Sequence, residues 1–99
     1  MTNQENEKRF FNMLSAAPEL KQYWDEAEGV AKIKSIQIAI DRNSKGSAAL
    51  LNFFGSVWFG NSEMFKFDFI KAVKSMEGRD RKILRRWLAD PFFCDEWAK

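Results

Sequence analysis

No histidine occurs in these 99 residues. That removes the Ser–His and Cys–His nucleophile pairs and the commonest metal ligand. There is one cysteine, Cys94, so neither an internal disulfide nor a cysteine–histidine zinc site can form. Such a chain fits a reducing compartment. No Gly-Lys-Ser/Thr follows any glycine, so Gly55 and Gly60 do not make a phosphate-binding loop. The opening Met1-Thr-Asn-Gln-Glu-Asn-Glu7 is polar and acidic with no apolar core behind it, so no secretory signal is expected. The longest apolar run is about a dozen residues, too short to cross a bilayer of about 30 Å. Cytoplasmic localisation without membrane contact is therefore expected. Internal repeats, linkers and low-complexity segments are also missing. Asp25, Glu26 and Glu28 cluster, but without the spacing that holds a hard cation, and they read as solvated surface. An enzyme is not expected, and neither is a catalytic residue, cofactor, metal or small-molecule substrate.

Aromatics, by contrast, are abundant. They make up 15% of the chain, and ten of them are phenylalanine. Each can bury about 150–250 Å², so a single domain over residues 1–99 has a heavy core for its length. Disorder is expected only at the first few residues. The chain is organised around Ser47-Ala-Ala-Leu-Leu-Asn-Phe-Phe-Gly-Ser-Val-Trp-Phe59. At 100° per residue, Leu50, Leu51, Phe53, Phe54, Val57 and Trp58 share one broad face. Ala48, Ala49, Asn52, Gly55 and Ser56 form an almost flat opposite face, and Phe59 stands outside the pattern. A bulky face and a flat face together indicate a central helix packed on both sides. The expected fold is all-α, with five or six short helices around residues 47–59.

The remaining elements follow from spacing and breakers. A first helix is expected over Glu5–Ala16, with Phe10, Phe11 and Leu14 on one side, and Ala17-Pro18 stops it. Pro18 suits the first position of a second helix, striped by Leu20, Tyr23, Trp24 and Ala27. Gly29 is either its C-cap or an interior glycine. Val30, Ile33, Ile36 and Ile40 continue at helical spacing, although Ile36, Ile38 and Ile40 also alternate as in a strand. Helix is preferred there, because a lone strand has no partner. Asp41–Gly46 is a turn by composition. Phe65, Phe67 and Phe69 alternate, so an extended piece is expected near 64–67, followed by Asp68 as N-cap and a helix to Met76. Another helix should cover Arg79–Ala89. Asp90 and Pro91 should then start a last short turn that folds Phe92, Phe93 and Trp97 back toward the core.

Charge is distributed unevenly. Residues 66–86 carry eight Lys/Arg against three Asp/Glu, while residues 1–65 carry seven against eight. In the 79–89 helix Ile83, Leu84, Trp87 and Leu88 make the apolar side, Arg79, Lys82, Arg85 and Arg86 fill the polar side with Arg81 at its edge, and the five cations form a candidate face for phosphates or an acidic partner. That helix has no Asn, Gln, Ser or Thr to read base edges, so any nucleic-acid contact would be to the backbone. The ordinary role for such a stripe is a solvated outer face. Phe92, Phe93 and Trp97 are the second candidate, as a partner contact or as the closing piece of the core. Cys94 is expected to be inert, since Asp95 and Glu96 would raise its pKa.

Taken in order, Lys34-Ser-Ile-Gln-Ile-Ala-Ile40, the polar turn 41–46, Leu50–Gly60 and Phe65-Lys-Phe-Asp-Phe69 form a familiar sequence of features. Over about residues 30–88 the chain resembles a family of small uncharacterised bacterial proteins carried on plasmids and integrative elements. It departs from that pattern at Phe69, where leucine is usual, and at Phe59-Gly60, where Asn-Gly or Asn-Ala is usual. The resemblance implies a bacterial, mobile-element setting and no particular activity. A non-enzymatic module that binds another protein, or a second copy of itself, is the leading expectation. Sequence-independent nucleic-acid binding through the basic helix is the alternative.

Overall fold

The computed structural model describes residues 3–42, 45–60 and 67–94. The all-α expectation holds, apart from one two-stranded hairpin. Helix α1 spans Asn3–Leu14 and buries Phe10 and Leu14, one turn apart. Its end tightens: the Ala16 N–H donates to the Met13 carbonyl and the Ala17 N–H to Leu14 (3.1 and 2.9 Å). Ala17 then leaves helical geometry, as a residue before proline must.

The second helix expected from Pro18 stops early. A 3-10 turn covers Pro18–Tyr23, and Trp24–Asp25 (β1) then pairs antiparallel with Val30–Ala31 (β2). Asp25 is the cause. Its carboxylate accepts from the Glu28 N–H (3.0 Å) and its carbonyl from the Gly29 N–H (2.8 Å), which closes a turn in place of a helix. Gly29, at φ +67°, supplies the left-handed residue this turn needs. It is therefore neither a helix C-cap nor an interior helical glycine, and Val30 belongs to β2.

Helix α2, Ile33–Arg42, settles the ambiguity at 34–40. A strand would place Ile36, Ile38 and Ile40 on one face, yet Ile36 is 0% exposed and Ile38 52%. Helix α3, Lys45–Phe59, begins two residues earlier than expected, where a turn was anticipated. α2 and α4 both pack on it. Its flat side lies against neighbours as well: Gly55 and Ser56 are buried and Ala48, Ala49 and Asn52 half-buried. Phe59, outside the bulky stripe, is also buried, as is every residue from 53 to 59. Gly60 ends it at φ +74°.

Helix α4, Phe69–Ser75, starts at the anticipated N-cap, where the Asp68 carboxylate accepts from the Lys71 N–H (3.1 Å). Helix α5, Gly78–Ala89, packs Ile83 and Leu84 inward. Phe67 lies in no regular element, and the rest of the extended piece expected near 64–67 falls outside the described residues.

Among the described residues, no helical turn follows Asp90. That residue is the C-cap of α5, its N–H donating to the Trp87 carbonyl (3.1 Å). The backbone beyond it is already engaged: the Trp87 Nε1–H donates to the Phe92 carbonyl (2.9 Å), and the Cys94 N–H to the Val57 carbonyl (3.1 Å). These bonds lay residues 91–94 across α3 and α5. Cys94 is fully buried there.

Candidate interaction surface

Helix α5 presents the basic face, and the structure divides it. Arg79 is committed: its guanidinium makes a forked contact with the Glu19 carboxylate (2.6 and 3.1 Å) and reaches Asp80 Oδ1 (2.9 Å). The hydrogen bonds from Arg79 hold the Glu19 carboxyl below the usual range, and those to Glu19 and Asp80 raise the Arg79 pKa further. This pair ties the 3-10 turn to the start of α5. Arg81, Lys82, Arg85 and Arg86 are exposed, and none has an ion pair among the described residues. Of the five cations expected to share a surface, four remain available.

The C-terminal aromatics separate in the same way. Phe92 is buried, with the Arg9 guanidinium over its ring at 4.4 Å. Arg9 is held in place by Asp90, through the carboxylate at 3.1 Å and the carbonyl at 2.8 Å. Phe92 thus closes the core. Phe93 points the other way and is 41% exposed, edge-on to Trp87 at 5.5 Å. Trp97 lies outside the described residues.

Phe93 forms one rim of a cleft of about 290 Å³. Phe69, at the start of α4, and Leu88, near the end of α5, complete the rim, 44% and 49% exposed. Buried Phe53, Val57 and Leu84 make the apolar floor. Ser56 also lines the cleft, and its buried hydroxyl has no hydrogen-bond partner. Single exposed apolar residues are ordinary, whereas these three stand together around one concave apolar floor.

Spacing along α5 connects the cleft to the free cations. Arg81 and Arg85 each sit three residues before a lining leucine, Leu84 and Leu88. Residues three apart are neighbours on a helix surface. Arg81 lies only about 20° around the helix from Leu88. Apolar rim and positive charge therefore adjoin. Phe93 and the arginines were visible as candidates in the sequence, whereas Leu88 read as part of the apolar side of its helix, Ser56 as part of the flat face of α3 and Phe69 as part of an alternating run. The signal that could have found Leu88 is its position at the edge of the apolar stripe, beside Arg81.

The other sequence features have structural roles. Asp25 serves the hairpin turn, and Cys94 is sealed in the core. Among the described residues, no helix is long and apolar enough to cross a membrane. Comparison of the chain with family models, curated proteins and solved structures finds no match.

Proposed function

We propose that this chain is a non-enzymatic protein-binding module and that the cleft between α4, α5 and Phe93 is its working surface. The observation that carries this is the exposure of Phe69, Leu88 and Phe93 around one apolar floor, whereas the other exposed large apolar residues, Val30, Ile33, Ile38 and Ile70, do not line the cleft. Exposed aromatic and aliphatic groups of this kind supply the anchors of protein interfaces. The resemblance over residues 30–88 supports a bacterial, mobile-element setting for the interaction. Light scattering on the purified protein and on its complexes, with wild type compared against Leu88→Asp, tests it. A dimer or partner complex lost in the variant is the expected result. A strict monomer whose associations do not respond to Leu88 would overturn it.

A second reading rests on a different observation, the four unpaired cations of α5. It assigns them to nucleic-acid backbone. Anisotropy titration against fluorescent DNA at about 50 and 200 mM salt should then show a steep loss of affinity. Unchanged binding in a combined Arg81→Glu, Arg85→Glu, Arg86→Glu variant would exclude it.

A further inference from the structure

Granting that the cleft docks a protein, we infer that its occupant is an acidic segment of the partner, anchored by one tryptophan or tyrosine. Three features of the site specify that chemistry.

The first is size and polarity. A cleft of about 290 Å³ with a floor of Phe53, Val57 and Leu84 accepts one large side chain. Trp87 and Phe93, already packed edge-on at 5.5 Å, offer ring faces and edges to another aromatic group.

The second feature is Ser56, which lines the otherwise apolar site with its hydroxyl oxygen covered and unpartnered, so that a donor reaches it only by displacing the lining atoms over it. A buried polar group without a partner is unfavourable, so an occupant that completes the bond gains more than one that does not. An indole N–H or a phenol O–H can donate to the serine oxygen, whereas phenylalanine and leucine cannot.

The third is charge. Arg81 and Arg85 border the apolar rim and have no acidic partner of their own among the described residues. Among the described residues, Asp68 caps α4, Asp90 holds Arg9 and Asp80 meets Arg79, while Glu77, four residues before Arg81, makes no ion pair with it. Carboxylates flanking the anchor would face two unneutralised guanidiniums, which favours encounter and fixes orientation. Nucleic-acid backbone could use the same arginines, but it supplies neither an anchor for the apolar floor nor a reason for the exposed rim.

Selection of a random peptide library displayed on phage, on the folded full chain, tests this directly, with the Leu88→Asp and Phe93→Ser proteins used to discard clones that bind elsewhere. Circular dichroism on each variant checks that it folds. The expected peptides carry net negative charge and one Trp or Tyr within a turn or two of their acids. For one synthesised winner, Arg81→Glu with Arg85→Glu should weaken binding about tenfold or more, and salt should weaken it further. Ser56→Ala should weaken the Trp or Tyr peptide about fivefold and leave its Phe-substituted form unchanged. Cleft-dependent peptides that are basic, or that lack Trp and Tyr, would overturn the inference and leave the docking surface standing. Recovery of no peptide that depends on Leu88 or Phe93 would instead remove the docking surface itself. Single-stranded DNA that displaces the peptide, and loses binding in the Arg81→Glu, Arg85→Glu protein, would assign the arginines to phosphate and also overturn the inference.

Discussion

The two sides of α3 hold similar side chains and have different fates. On one side Phe54 and Trp58 meet Phe10 (5.8 and 4.8 Å between ring centres) and Trp24, in a cluster with no exposed ring. On the other, Phe53 meets Phe67 and Trp87 (5.7 and 5.3 Å), and the aromatic packing runs out to Phe93 at the surface. The first side has a lid of two elements, α1 and the hairpin. The second has an open cleft lined by residues of α3, α4 and α5 and by Phe93. The aromatic surplus of this short chain is therefore sealed on one side of α3 and reaches the surface on the other. An unpaired polar atom does not separate the two, since Trp24 Nε1 on the sealed side is also buried without a partner. What distinguishes Ser56 is that the residue lines the cleft, although its hydroxyl oxygen is itself covered.

The widest contrast comes from truncating each side. Trp58→Ala should cost about 3–5 kcal/mol and remove most of a typical domain's stability. Leu88→Asp should change stability by no more than about 0.5 kcal/mol, as a surface substitution does. Urea unfolding followed by circular dichroism compares them. If Leu88→Asp unfolds the chain as Trp58→Ala does, the cleft is a part of the core and the contrast collapses.

A smaller contrast concerns how closely the elements around α3 approach one another. A Cβ at Gly46 would sit 2.8 Å from the Ser75 carbonyl oxygen, a backbone atom with no freedom to turn away. At Gly78 it would meet nothing within 4 Å. Gly46→Ala should therefore destabilise by about 1–3 kcal/mol, despite the better helix propensity of alanine. Gly78→Ala should be neutral or stabilise by up to about 1 kcal/mol. Equal effects in urea unfolding would mean that the packing of α4 on the start of α3 is looser than the structure shows.

Much of this arrangement can be read from the chain because it depends on local periodicity. The α3 segment, the Asp68 cap and the helical spacing of Ile36 and Ile40 depend on residues a few positions apart. Trp24 and Pro91 were misjudged for a different reason. Trp24 has helical spacing from Leu20, but hydrogen bonds around Asp25 and Gly29 outweigh a stripe of four residues. Asp90-Pro91 reads as a helix start, but Trp87 and Val57 take the backbone groups of residues 92 and 94. The cleft is less legible still. The arginines and Phe93 stand out by type, whereas Leu88 and Phe69 look like any core residue until the packing leaves them uncovered.

The smallest expected effect sharpens the division within α5, between its paired end and its free end. Arg79 joins the hairpin side of the molecule to the cleft side through Glu19. Because the Glu19 carboxyl is held below its unfolded-state value, the pair stabilises the fold above the ordinary carboxylate pKa of about 4.3. That contribution fades as pH falls through the lowered value. Both side chains are about half exposed, so solvent limits the effect to less than about 1 kcal/mol. Glu19→Gln should be less stable than wild type at pH 7, with the gap closing toward pH 3 and shrinking in about 1 M salt. A gap that persists in acid would mean that Glu19 acts by packing rather than by charge. Arg81→Gln, with no partner to lose, should show no such pH-dependent gap, and one of equal size would erase the distinction between the two ends of the helix.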